Sequence, residues 1–250
     1  MPDVSGRLLD FVMVLTRVSA FLLVLPVFGS NVIPARIKVS MTILLSVFFL
    51  WLAPAPAVTG QISVPEATLL LSGEAIYGLA LGLIAAVVFL AVRLGAEIVE
   101  QQMGFAIAEI LDPLTGETTQ PLGSLFETIF ILLFLAANGH HLFLTIIWRS
   151  YAAFPAGHIP TAATLTGGVI QAGTVMLTVG LKLAAPMLAA FLVLMVVLAV
   201  FARVIPEMDI LFNSMPLCAG LGLLLMAIFI PYLSPFVTEF AQLMNKLLPL

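Results

Sequence analysis

The sequence predicts an all-α integral membrane protein, and three observations carry that prediction. Hydrophobic residues fill 62% of the 250 positions, against roughly 45–50% in a soluble globular chain. Charged residues are 9% and mean hydropathy is +1.22, where about 25% charged is usual. The charges also stand far apart. Twenty-seven uncharged residues separate Lys38 from Glu66, 20 separate Lys182 from Arg203, and 29 separate Asp209 from Glu239. A hydrocarbon core about 30 Å thick needs roughly 20 helical residues. A membrane barrel would show alternating segments of about ten, whereas Leu, Ala, Val, Ile and Phe run on here without polar alternation.

Six main helical segments follow in order, at about 4–25, 36–53, 65–111, 122–150, 166–203 and 209–247. Met1-Pro-Asp-Val places an acid before any base, and no small-residue cleavage site follows, so the first apolar stretch is expected to be retained rather than removed as a signal. Pro26, Gly29 and Pro34 end it. The second segment closes at Pro54-Ala-Pro56 and Gly60, and the third at Asp112-Pro113. Pro121-Leu-Gly123 precedes the fourth, which ends in Phe154-Pro155-Ala-Gly157 and Pro160, and Pro206 marks a turn before the last. Proline lacks an amide donor and biases the residue before it away from helix. The third and fifth segments exceed one simple span, so kinks or extensions are expected. Lys and Arg are spread about one per junction, which leaves no positive-inside asymmetry.

Composition excludes several functions. Net charge is −4 with nine Lys and Arg, too few for a nucleic-acid face. Cys218 is the lone cysteine, so neither an intramolecular disulfide nor a cysteine-rich zinc site is possible. His140 and His141 are adjacent, and on a helix they point about 100° apart, a poor shared metal site. His158 stands near Pro155 and Pro160 as a polar cap. Ser124 beside Gly123, with His140, is the nearest approach to a nucleophile and base, and it lacks a glycine-framed setting. No catalytic residue, metal or cofactor is expected.

The informative residues are charges in apolar surroundings. Arg17 lies inside the first segment and Lys182 inside a stretch otherwise uncharged from 150 to 202. An ionised side chain at the bilayer centre costs at least about 2.5–3.5 kcal/mol. Such a residue faces a pore or a subunit interface, or else snorkels from a helix end. Arg93 and Glu97 are i,i+4 neighbours. Glu97, Glu100, Gln101 and Gly104 share a face opposite Leu94, Ile98 and Phe105. That polar stripe, with Glu74 as a further intramembrane charge, suits a channel wall, a polar seam or a solvated helix end. Gly78-x3-Gly82, in line with Gly73 and Gly95, permits close helix approach. The loop containing Ala106, Ile107, Glu109, Ile110, Leu111, Asp112, Pro113, Leu114, Gly116 and Pro121 mixes apolar and turn residues between two apolar helices. Its backbone would go unsatisfied in lipid, so it belongs in protein, water or a cavity.

Four blocks in this order and spacing resemble the FliR/SctT family of type III secretion export gates. They are Arg17-x8-Pro26-x7-Pro34-Ala-Arg36; Gly73-Glu74-x3-Gly78-x3-Gly82; Glu97-x2-Glu100-x-Gln102-Met103-Gly104-Phe105-x6-Asp112-Pro113; and Ala202-Arg203-x2-Pro206-x-Met208-x3-Phe212-x3-Pro216. The resemblance covers about residues 10 to 245. It implies a FliP-like part, about 1–165, followed by a FliQ-like helical hairpin, about 166–250. The hairpin tip would hold Arg203, Pro206, Glu207 and Asp209, where the family often has an uncharged Pro-Gln-x-Asn stretch. The resemblance also implies a single copy in a FliP–FliQ–FliR complex beside FlhB-like and FlhA-like proteins. That complex would sit in the bacterial inner membrane at the flagellar basal body and pass unfolded substrates. The 106–121 loop would be its channel plug. The alternatives are an injectisome subunit of the SctT kind, or an independent secondary transporter with ion sites at Lys182, Glu74 and Glu97.

Overall fold

The structure, a computed structural model, describes residues 4–29, 33–52, 63–104, 121–204 and 210–233. Among them there is no strand. The helices are α1 (Val4–Val24), the single turn α2 (Pro26–Gly29), α3 (Ala35–Leu52), α4 (Val64–Gln102), α5 (Pro121–Ala136), α6 (His140–Ala153), α7 (Ala162–Val204) and α8 (Ile210–Phe229), with a 3-10 turn at Ile230–Tyr232. The all-α membrane fold expected from composition is the one observed. By length and apolarity α3, α4 and α7 can each cross a membrane. At 39 and 43 residues, α4 and α7 run to roughly 60 Å, about twice the hydrocarbon thickness.

Several boundaries differ from the sequence expectation, each for a local reason. The segment expected at 65–111 stops as a helix at Gln102, where Gly104 takes a left-handed φ of +84°. Glycine enters that region without a Cβ clash. The segment expected at 122–150 is two helices, parted at Asn138, whose φ of +59° an α-helix does not allow. Asn tolerates it better than most residues. The fifth helix starts at Ala162 rather than near 166, because the Thr161 hydroxyl accepts the Thr164 amide at 3.4 Å, a weak N-cap. The segment expected at 209–247 is α-helical from Ile210 to Phe229 and is then interrupted by the 3-10 turn that holds Pro231; residues 234–247 of it lie outside the described residues.

The described residues form two compact units. Those up to Val87 and Asn138–Gly173 make the first; those of Val88–Ala137 and from Thr174 onward make the second. In the first, Val14, Val18 and Phe21 form the buried face of α1 at spacings of four and three, and Leu25 just beyond its end is buried with them. Phe21 meets Phe143 edge-on at 6.3 Å, and Phe49 meets Tyr151 at 6.0 Å. The glycines of α4 bring it against α1. A Cβ at Gly78 would lie 2.5 Å from the Arg17 carbonyl oxygen, and one at Gly82 would lie 2.7 Å from that of Phe21.

In the second unit α5 buries Gly123, Phe126, Phe130 and Phe134, a single helical stripe. Phe89 of α4 stands edge-on to Phe130 at 5.4 Å and to Phe134 at 5.2 Å. Each such pair adds about 0.5–1.5 kcal/mol beyond the burial of its area. α7 turns Gly180, Ala184, Met187 and Phe191 inward. Gly95 and Gly180 let α4 and α7 touch through backbone: a Cβ on Gly95 would be 3.0 Å from the Gly180 carbonyl oxygen, and one on Gly180 would be 3.0 Å from that of Ala91.

Replacing Gly78 with leucine is expected to force α1 and α4 apart. The loss should be at least the roughly 1–3 kcal/mol typical of overpacking. Thermal unfolding in detergent measures it, with Gly167→Ala, whose Cβ meets nothing within 4 Å, as the unperturbed control.

Candidate functional site

Among the described residues of the first unit, the buried charges meet at one point. Arg17 projects from the inward face of α1 with 1% of its surface exposed, and Glu74 of α4 meets it with none exposed. Arg17 Nε donates to Glu74 Oε2 at 2.5 Å and Nη2 donates to Oε1 at 2.9 Å, a two-pronged pair. Nη1 donates to the carbonyls of Phe154 at 2.9 Å and Ser150 at 3.3 Å. Glu74 Oε1 also accepts the Gly157 amide at 2.8 Å. The guanidinium is held between two rings, 4.7 Å from the centroid of Tyr77 and 4.3 Å from that of Tyr151. Tyr151 in turn donates its hydroxyl to the Val14 carbonyl at 3.3 Å.

The backbone makes this arrangement possible. α6 ends at Ala153: the Ser150 carbonyl still accepts the Phe154 amide at 2.9 Å, and the Phe154 carbonyl, in extended backbone just beyond the helix, lies outside the helical ladder. Arg17 supplies donors to that end of the helix, where positive charge is also favoured by the dipole. Gly157, at φ +89°, lets the chain reverse so that its own amide points back at Glu74. The Tyr77 hydroxyl is buried and without a partner among the described residues.

The second unit holds the polar stripe of α4. Arg93 Nε donates to Glu97 Oε1 at 2.6 Å, and Nη1 donates to Glu127 Oε2 at 3.4 Å. Arg93 is 44% exposed, and ion pairs in such positions contribute about 0–1 kcal/mol. Glu100 differs: it is buried, and its Oε2 accepts the Gly123 amide at 3.1 Å. Gly123 is in the first turn of α5, whose leading amides have no helical acceptor. The carboxylate therefore caps α5 and meets the positive end of its dipole. A Cβ at Gly123 would lie 2.6 Å from Glu97 Cγ, so a larger residue there has to displace the Glu97 side chain.

The stripe expected as one face is thus divided. Glu100 points inward, Arg93 and Gln101 are exposed, and Glu97 lies between. Lys182 is exposed on α7 and makes no hydrogen bond or ion pair with any described residue. Arg203 is exposed at the C-terminal end of α7. Of the expected plug residues, Pro121 is the first residue of α5; Ala106, Ile107, Glu109, Ile110, Leu111, Asp112, Pro113, Leu114 and Gly116 lie outside the described residues, as do Pro206, Glu207 and Asp209 of the expected hairpin tip.

The sequence placed Arg17 and Glu74 separately and did not join them. It also missed Tyr77, Tyr151, Gly157 and the carbonyls of Ser150 and Phe154. One signal was present: opposite charges buried in apolar segments pair with one another. Backbone partners carry no such signal, since any residue supplies a carbonyl. The His140 and His141 rings are 4.3 Å apart, and no group of three metal-ligating side chains occurs among the described residues. The chemistry available is neutralisation and positioning of fixed charges.

Residues 8–244 match the family described as Bacterial export proteins, family 1. The chain is 28% identical to the flagellar biosynthetic protein FliR of Bacillus subtilis over 87% of this chain and 85% of that one. It is 28% identical to the FliR of Escherichia coli over 93% and 89%. It is also 28% identical to the Yop proteins translocation protein T of Yersinia pestis over 90% and 87%.

Breaking the buried pair should separate it from the surface one. Arg17→Met and Glu74→Met are each expected to cost about 3–5 kcal/mol, because each strands the opposite buried charge. The double variant should lose much less than the sum of the two. Arg93→Met should cost under about 1 kcal/mol. Unfolding of the purified variants in detergent gives the four values, and additivity of Arg17→Met and Glu74→Met would contradict the pairing.

Proposed function

The chain belongs to the bacterial export proteins, family 1, and from that premise we propose that it helps form and gate the channel of a flagellar type III export apparatus. It is a subunit of a type III export apparatus, a bacterial inner-membrane protein and a structural component rather than an enzyme. The observation that carries the proposal is the match over residues 8–244, which takes in both compact units. In this reading the chain sits at the flagellar basal body with FliP-like and FliQ-like subunits, beside FlhB-like and FlhA-like proteins. Unfolded secreted proteins pass the assembly. Residues 1–165 act as the FliP-like part and 166–250 as the FliQ-like hairpin.

The geometry supports a subunit of a larger body. α7 buries one narrow stripe and leaves Leu177, Leu181, Leu192, Val193 and Val196 exposed along a helix about twice the hydrocarbon thickness. Fixed polar groups on α4, namely Arg93, Glu97 and Gln101, are available to a channel wall or a seam. The loop from Ala106 to Pro121 joins α4 to α5 and serves as the plug: its backbone cannot sit in lipid, and Ile107, Ile110, Leu111 and Leu114 disfavour free solvation. An injectisome subunit is the second reading. It is favoured by the Yersinia relative, whose identity to this chain equals that of the flagellar ones.

Removing the gene should abolish swimming in soft agar and export of filament protein, and the chain supplied in trans should restore both. A deletion strain that still swims would contradict the flagellar reading. Loss of another secreted protein set instead would favour the injectisome. Deleting residues Ile110 to Thr119 should leave the complex assembled and make the membrane leaky to ions or small solutes, read as conductance or dye uptake. An assembled deletion complex as tight as wild type would overturn the plug assignment.

A further inference from the structure

The second unit contains three carboxylates among its described residues, and all are engaged: Glu97 and Glu127 by Arg93, and Glu100 by the Gly123 amide. Among the described cations of the unit, Lys182 is left over, as is Arg203 at the far end of α7. Lys182 is exposed midway along α7, the longest helix of the chain, between Leu177 and Leu181 on one side and Ala185 and Ala189 on the other. Four residues further on, Pro186 has no amide hydrogen. The Lys182 carbonyl therefore lacks its helical donor. Lys182 and Pro186 are both exposed and lie one turn apart on the same face. One turn of an apolar helix thus presents an ammonium group and a freed carbonyl together.

The opposite side of α7 is already taken. Gly180 packs against Ala91 and Leu94 of α4 there. The Lys182 face carries the side chains Thr178, Lys182, Ala185, Pro186 and Ala189, short apart from the lysine, so a second helix can come close. Inside apolar surroundings a cation and a free carbonyl need partners from a neighbour.

We propose that this face of α7 docks a helix of another export component, and that a carboxylate of that helix pairs with Lys182. The same helix supplies a hydrogen-bond donor to the Lys182 carbonyl. The proposal rests on the reading of the chain as a subunit of the export apparatus, and it names the seam and the partner's chemistry.

The experiment uses the full complex, purified from cells through a tag on this chain and treated with a water-soluble carbodiimide. The reagent activates a carboxylate; the lysine amine displaces it as an amide, and the reagent leaves as its urea, with one water removed overall. Wild type should give a link between Lys182 and an Asp or Glu of a second protein, assigned by peptide mass spectrometry. Lys182→Arg should keep the complex intact and lose the link, because the guanidinium keeps the charge without forming the amide. Lys182→Glu should lower recovery of the complex at least tenfold while leaving this chain in the membrane fraction. A charge reversal at the linked carboxylate should restore it. Four outcomes overturn the proposal: a link only to a carboxylate of this same chain; no link in an intact complex; assembly of Lys182→Glu at the wild-type level, as expected if lipid phosphate alone meets the lysine; and recovery of wild type without any partner. The last also overturns the subunit reading, whereas the first three leave it standing.

Discussion

Arg17 carries its charge into the interior of the first unit, and the positions of α1, α4 and α6 follow from the need to neutralise it there. One guanidinium reaches Glu74 on α4 and two carbonyls at the end of α6, while its own backbone presses on Gly78. These demands are linked. The pair closes only if α4 comes near enough to α1, and it comes that near only because Gly78 and Gly82 have no side chains. Tyr77 and Tyr151 then close over the cation from two sides. A buried ion pair gains little over a well-packed apolar pair of the same size, but losing one partner is expensive. Its effect is to fix one register of the three helices, since a slip of one residue would strand both charges.

The second unit solves a different problem with the same residue types. Glu100, its buried carboxylate among the described residues, meets no cation among them; it meets the first turn of α5 and so uses a helix end as a positive group. Arg93, a cation on the same helix, stays half in solvent and pairs loosely. Packing is left to the phenylalanine stripe of α5 and to the backbone contact of Gly95 with Gly180. The two units therefore place their rigid polar contact differently. The first has it at an arginine between helices, and the second at a carboxylate capping a helix.

Both arrangements suit a chain whose work is to be one part of a larger body. The polar groups that would disturb folding are satisfied internally at Arg17, Glu74 and Glu100. Those left outside, Arg93, Gln101 and Lys182, are available to neighbours. Exposed apolar residues line α3 and α7 at the same time. Extended apolar surface crossed by isolated charge marks a protein surface designed for contact with lipid and with other chains.

The sequence by itself determined the fold class, the order of the helices and most of their breaks. These depend on composition and on proline, glycine and charge spacing, which act locally. It also determined that the helix carrying Gly78-x3-Gly82 would approach another closely; that the other is α1 was decided by the fold. Tertiary structure alone decided which charges meet. Arg17 and Glu74 are 57 positions apart, and nothing local joins them; the carbonyls of Ser150 and Phe154 and the amide of Gly157 have no residue-specific mark at all. It also divided the polar stripe, turning Glu100 inward and Gln101 out, because the face that α4 presents is chosen by α5 packing against it. The break at Asn138 and Gly139 was decided in the same way. Their neighbours on both sides are apolar enough to continue one helix, and only the left-handed conformation at Asn138 ends it.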